Sequence, residues 1–236
     1  LRKSGASHFT AFAKNLKGFY NMIKIHNDAW VNGFYMFPYT SPDVIEKNKE
    51  GIICLSGCSG AEQNKILTQK FYLQSDKRKE DINAVIDDKV KSMKGLFRTK
   101  NDEKYSEDEH LDDYDFAYFY AHQEEKFNEE DYRTKAVEFI KKSDEEQIQN
   151  ADRRAREVID WWHSIFGEDY YIELMVIDYE IQILVNRELI KIAKEKNLPI
   201  VITNDCHYLT ESGAQVQQLQ MLNDQDKTFT DLEKDT

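Results

Sequence analysis

Leu198-Pro-Ile-Val-Ile-Thr-Asn-Asp-Cys-His-Tyr208 is the stretch on which the reading of this chain turns. Pro199 followed by the β-branched run Ile200 to Ile202 reads as a buried strand of a mostly parallel sheet. The run stops at Thr203-Asn204, and Asp205 and His207 follow two positions apart. In extended chain their side chains point to the same side, with Cα atoms about 7 Å apart. A carboxylate and an imidazole so placed at the C-terminal end of a buried strand can grip one metal ion or serve one proton transfer. The same letters fit a plainer arrangement, in which Asp205 caps the next turn and His207 is an ordinary surface residue, because D-x-H recurs by chance.

Gly51-Ile-Ile-Cys-Leu-Ser-Gly-Cys58 reads as a second buried strand that ends in a turn of small residues, after which Ser59-Gly-Ala-Glu62 opens a helix. Cys58 therefore sits at a strand's C-terminal end, where open α/β sheets and barrels gather their chemistry. As a small buried hydrophobe a cysteine needs no such role. Glu62 is either a site carboxylate or a first-turn glutamate that complements the helix dipole.

Working outward, His8-Phe-Thr-Ala-Phe-Ala13 reads as a strand. Asn15 then caps a helix on which Leu16, Phe19, Tyr20 and Ile23 recur at i, i+3, i+4 and i+7. Ser41-Pro42 starts a short helix, with Ser as cap and Pro at the first helical position, that ends before Gly51. On the C-terminal side, Ala151 to Phe166 reads as a helix stopped by Gly167, and Tyr170 to Val176 as a strand. Tyr179 to Lys196 is a long amphipathic helix, and the strand at Ile200 completes a β-α-β unit. Alternating helices and strands mean an α/β protein.

Residues 75–150 have another texture. Lys-, Glu- and Asp-rich helical stretches flank an acidic segment with little apolar content, and the aromatic knot Tyr114-Asp-Phe-Ala-Tyr-Phe-Tyr120 interrupts it. Between Asn101 and Asp131 there are 13 Asp or Glu against 2 Lys, so this segment carries nearly all of the chain's net charge of -12. It reads as a mostly helical acidic insertion with a flexible loop. His110 and His122 within it read as solvent or packing residues. So acidic a chain offers no evident electrostatic footprint for nucleic acid. A mean hydropathy of -0.73 and no apolar run near 18 residues argue against a membrane span. Three cysteines in 236 residues give no disulfide framework and favour a reducing cytosol.

Several stretches, in order, resemble one family. His8-Phe-Thr-Ala-Phe-Ala-Lys-Asn15 with Gly18-Phe-Tyr-Asn-Met-Ile23 is similar to the "HLTLLAKN…GYxNL" stretch of bacterial replicative C-family DNA polymerase III α subunits. Ala29 to Tyr35, Glu50 to Cys58 and Gly60 to Glu62 resemble "AYLEGFY…EGLIxLSGCLGAE". Tyr171-Ile-Glu-Leu174 resembles "FxLEL", Leu198 to Tyr208 resembles "IPLVATNDVHY", and Lys227-Thr-Phe-Thr-Asp231 resembles "KTLxDP". The region they cover is the polymerase and histidinol phosphatase (PHP) domain.

The resemblance implies a partial distorted (β/α)7 barrel whose strand ends hold metal ions. Residues 1–74 would be its first part, 75–150 the insertion and 151–236 its C-terminal part. It transfers metal ligands to His8, Cys58, Asp205 and His207, with Glu62 as a further carboxylate, and a divalent cation (Zn, Mn or Fe) as cofactor. Departures are plain: no H-x-H strand, "TDHG" or "GCEFY" segment is present, and Phe34-Tyr-Met-Phe-Pro-Tyr39 lacks both basic residues of "FYxKPR". The chain is thus expected to start about a third of the way into the domain, with the Mg-dependent polymerase palm beyond Thr236.

The parent would be a bacterial or phage-encoded cytoplasmic DNA-directed DNA polymerase, a nucleotidyltransferase. Its partners would be the rest of the polymerase chain, DNA held by other domains, a proofreading exonuclease subunit and a sliding clamp. The PHP part would then be either a metal-dependent 3′–5′ proofreading nuclease or a metal-binding scaffold. A free-standing PHP phosphoesterase acting on small phosphate esters is the alternative.

Overall fold

The computed structural model describes residues 7–98, 112–122, 126–177, 179–204 and 206–224. Asp205, Asp178, His110, most of the acidic loop and the Lys227–Asp231 motif lie outside them.

The strands are β1 (Thr10–Ala13), β2 (Phe34–Tyr35), β3 (Phe37–Pro38), β4 (Ile52–Leu55), β5 (Tyr170–Met175) and β6 (Ile200–Thr203), with helices α1 (Leu16–Val31) and α2 (Pro42–Lys47) between β1 and β4. Strand β2 pairs with β3, and a four-stranded sheet of order β1-β4-β5-β6 organises the chain. Strand β1 (Thr10–Ala13) runs antiparallel to β4 (Ile52–Leu55), pairing Thr10 with Leu55 and Ala13 with Ile52. Strands β5 (Tyr170–Met175) and β6 (Ile200–Thr203) follow, each parallel to its neighbour. A parallel pair needs a crossover: α7 (Glu180–Lys196) carries the chain from β5 to β6. A much longer one joins β4 to β5 through α3 (Glu62–Leu73), α4 (Asp76–Arg98), α5 (Asp113–His122) and α6 (Glu129–Phe166).

Alternation along the strands sends Ile52, Cys54, Tyr170, Ile172 and Leu174 to one face, where Leu67, Ile159, Leu189 and Ile192 from the helices bury them. Leu67, Ile159, Ile172, Leu189 and Ile192 are all sealed from solvent, each worth ~1.5–3 kcal/mol. A second core joins Ile82, Ile86, Val90 and Met93 of α4 to Tyr118 and Phe119 of α5 and Tyr132 and Ala136 of α6. Helix α6 belongs to both cores: its 38 residues run unbroken across residue 150, and Gly167 caps it with φ +54.

Three expectations are met only in part. The mixed α/β content is as expected, and the sheet of the described residues is open, with β1 and β6 as its edges. Being an edge, β6 is not the buried strand that its apolar run implied: Ile200 is 41% and Ile202 69% exposed.

The third concerns α1 (Leu16–Val31), which Asn15 caps by accepting from the Gly18 amide at 3.0 Å. Its apolar periodicity is real, yet Leu16, Phe19, Tyr20 and Ile23 all face outward. The buried face is Gly18, Asn21, Ile25 and Ala29. The reason is close backbone approach: a Cβ on Gly18 would lie 1.7 Å from the Gly51 carbonyl oxygen, so the helix docks through its smallest residue. Asn21 Nδ2 donates to the Glu50 carbonyl at 2.9 Å on the same face.

Candidate metal site

Strand direction assembles the site. Because β4, β5 and β6 are parallel, their C-terminal ends line one edge of the sheet. Because β1 is antiparallel to β4, the residues before β1 return to that same edge. The ladder continues to the tips: the Ser56 amide donates to the Tyr171 carbonyl at 2.8 Å and the Val176 amide to the Thr203 carbonyl at 3.0 Å.

His8 and Cys58, 50 residues apart in sequence, meet there, with His8 Nδ1 3.0 Å from Cys58 Sγ. The His8 amide donates to the Gly60 carbonyl at 2.9 Å, and the imidazole lies directly over Gly60, whose added Cβ would be 2.4 Å from Nδ1. A side chain at position 60 would therefore evict the ring. The turn that presents Cys58 is clamped from α3. Asn64 Nδ2 donates to the carbonyls of Gly57 at 3.0 Å and Cys58 at 2.9 Å, and Gln63 Nε2 donates to Ser56. Both amide side chains are buried, and their NH2 donors hold the loop geometry, while Asn64 Oδ1 has no hydrogen-bond partner among the described residues.

An imidazole nitrogen beside a thiol is the donor chemistry of zinc and other borderline first-row metals. Tetrahedral zinc bonds of about 2.1 Å to N and 2.3 Å to S put those donors about 3.6 Å apart, so the pair needs to open by only about half an ångström. Of the other two thiols, Cys206 lies exposed past the end of β6, and Cys54 does not compete. Burial, then the Glu173 carboxylate, pushes the Cys54 thiol up and keeps it protonated, whereas Cys58 is partly exposed.

Of the remaining sequence-derived site residues, His207 lies on the same sheet edge, exposed, past the end of β6. Asp205 is outside the described residues. Glu62 is exposed in the first turn of α3, where its charge complements the helix dipole. Among the described residues no three of His, Cys, Asp and Glu come close enough to enclose an ion.

One residue at this edge was missed. Glu173, in the middle of β5, is only 7% exposed. Its Oε1 accepts from Thr203 Oγ1 at 2.7 Å, its amide donates to Ser56 Oγ at 2.8 Å, and its Oε2 has no hydrogen-bond partner among the described residues. The signal was a lone carboxylate inside Tyr170-Tyr-Ile-Glu-Leu-Met175, a strand otherwise free of charge.

Residues 2–101 match the PHP domain family. The chain carries a PHP domain. It is also similar to DNA polymerase III subunit alpha of Campylobacter jejuni, 21% identical over 227 residues, which are 93% of this chain and 13% of that protein. The same subunit of Borreliella burgdorferi is 23% identical over 212 residues, 90% of this chain and 12% of that protein. In Thermus aquaticus the subunit is 32% identical over 80 residues, 34% of this chain and 7% of that protein. The chain thus spans about an eighth of the length of the first two relatives. Among the described residues no helix is long and apolar enough to cross a membrane.

Proposed function

We propose that this PHP domain is a metal-binding scaffold module of a replicative C-family DNA polymerase, bracing the larger chain rather than cutting DNA. The observation that carries the metal half of this reading is the His8–Cys58 contact at the sheet edge, where His207 also lies. Asp205, two residues before His207, completes the donor set of His8, Cys58, Asp205 and His207. A divalent cation (Zn, Mn or Fe) held there ties the N-terminal strand to loops from β4 and β6, and its binding energy adds to folding energy.

In a nuclease such an ion would activate water and stabilise the leaving oxygen. What favours the scaffold is that the described strand tips bring no basic side chain to grip phosphate. The described residues at the strand tips, 7–9, 56–62, 176–177, 204 and 206–212, include no Lys or Arg. Phosphodiester recognition draws on such cations. DNA synthesis, with Mg as its metal, then belongs to the parent chain and DNA to its other domains. A proofreading exonuclease subunit and a sliding clamp are the partners such a module serves.

The test is the double variant Asp205→Ala with His207→Ala in the full-length protein. The scaffold reading expects lost bound metal and lowered thermal stability with any 3′–5′ degradation unchanged. Loss of 3′–5′ degradation at unchanged stability overturns it.

A further inference from the structure

Glu173 stands between the two halves of the site. Its backbone amide reaches Ser56, two residues before Cys58, and its carboxylate accepts from Thr203, four residues before His207. It is the one acidic side chain within the described β strands, all of which are otherwise uncharged. Burying a carboxylate with one oxygen unsatisfied is costly, and a strand surrounded by apolar residues gains nothing from it as packing. A cost of this kind is retained where a nearby cation or a positioned loop gives it a use.

We propose that Glu173 is the positioning residue of the metal site: through Thr203 it fixes where the chain leaves β6 at Asn204, and through Ser56 it registers the end of β6 against the turn that carries Cys58. This rests on the metal-binding reading above. The geometry favours the hydroxyl as the transmitting group. Thr203 is the last residue of β6, and its amide-to-carbonyl ladder with β5 ends there, at the Val176 amide. At that point the side-chain bond from Thr203 Oγ1 to Glu173 adds a restraint on the direction in which the chain departs. A carboxylate acceptor makes that bond stronger than one between neutral groups. Partners that orient a metal ligand in this way typically change affinity by about 10–100-fold when removed.

The experiment is a Co2+ titration of the full-length protein, followed at the thiolate-to-metal charge-transfer absorption that Cys58 produces. Thr203→Val keeps the β-branched shape and deletes only the hydroxyl. It is expected to weaken Co2+ binding by about 10–100-fold while the absorption, once saturated, keeps its wild-type intensity because Cys58 still ligates. Thr203→Ser restores the hydroxyl and is expected to bind within about threefold of wild type. Glu173→Leu is expected to match Thr203→Val, and the double variant to be no weaker than the weaker single, since the pair acts as one unit.

Wild-type binding together with an unchanged Thr203→Val affinity overturns the inference and leaves the metal site standing. So does a Thr203→Ser affinity as weak as that of Thr203→Val. Absence of the absorption in the wild type overturns both. If Glu173→Leu fails to fold, the two Thr203 variants decide alone.

Discussion

Gly60→Ala is the sharpest perturbation the site offers. Gly60 has no left-handed backbone requirement, so an alanine there is strained only by what its methyl meets. It meets the His8 ring, at 2.4 Å from Nδ1, 2.6 Å from Cγ and 2.7 Å from Cε1. Ordinary carbon contacts begin near 3.5 Å, so the imidazole must retreat by about 1 Å. That shift takes Nδ1 from 3.0 Å to about 4 Å from Cys58 Sγ, beyond the roughly 3.6 Å that a shared tetrahedral ion allows. Because His8 is exposed, the ring swings into solvent and the cost in stability stays below about 1 kcal/mol. Loss of one ligand, in contrast, lowers metal affinity by at least about 100-fold, near 2.7 kcal/mol. Zinc titration by calorimetry, paired with thermal melts of the metal-free protein and a Ser59→Ala control, reads both quantities. Unchanged affinity in Gly60→Ala at unchanged stability would refute the placement of His8 in the site.

Other perturbations probe the frame around it. Asp115, fully buried, accepts from Tyr132 Oη at 2.6 Å and from the Asp112 amide at 2.8 Å, and it pairs with Lys89, whose side chain is 12% exposed. Asp115→Ala leaves the Lys89 ammonium with Asp112 alone and the buried Tyr132 hydroxyl without its acceptor, and should cost about 3 kcal/mol in urea denaturation; a loss under about 1 kcal/mol contradicts this buried network. Asp112 gives a pH dependence. Burial opposes its ionisation, but the hydrogen bond and charge of Lys89, with hydrogen bonds to Asp115, outweigh burial and hold the carboxyl below its usual range. A depressed folded value adds stability above about pH 4 that disappears as the pH falls further. Wild type should therefore exceed Asp112→Asn in urea midpoint at pH 7, and the gap should narrow as the pH falls below about 4; parallel curves would argue otherwise. Gly18→Ala drives a methyl into the Gly51 carbonyl oxygen and should cost about 3 kcal/mol, visible as a lower thermal midpoint. A neutral result would mean that α1 does not dock there.

How far the sequence carried depends on which force places each residue. The strand at Ile52 and the cap at Asn15 are local matters of β-branching and side-chain hydrogen bonding, and both were legible. Cys58 at a strand tip followed from the same local run. Its meeting with His8 did not, because it depends on the antiparallel register of Thr10 with Leu55; only the family resemblance had put the two residues in one ligand set. Helix α1 shows a limit of periodicity: spacing finds an apolar face but not which face is buried, and here Gly18 and Ala29 dock while Phe19 and Tyr20 do not. Ile200 and Ile202 show the same limit for strands, since edge or centre is a tertiary property. Glu173 passed unnoticed among apolar neighbours because its partners, Ser56 and Thr203, lie 117 and 30 residues away.

X-ray absorption at the zinc edge of the full-length protein tests the central claim most directly. One sulfur is expected at about 2.3 Å with nitrogen and oxygen donors at about 2.0–2.2 Å, and the sulfur shell is expected to vanish in Cys58→Ser. A zinc centre without sulfur, or one whose sulfur survives Cys58→Ser, would contradict it.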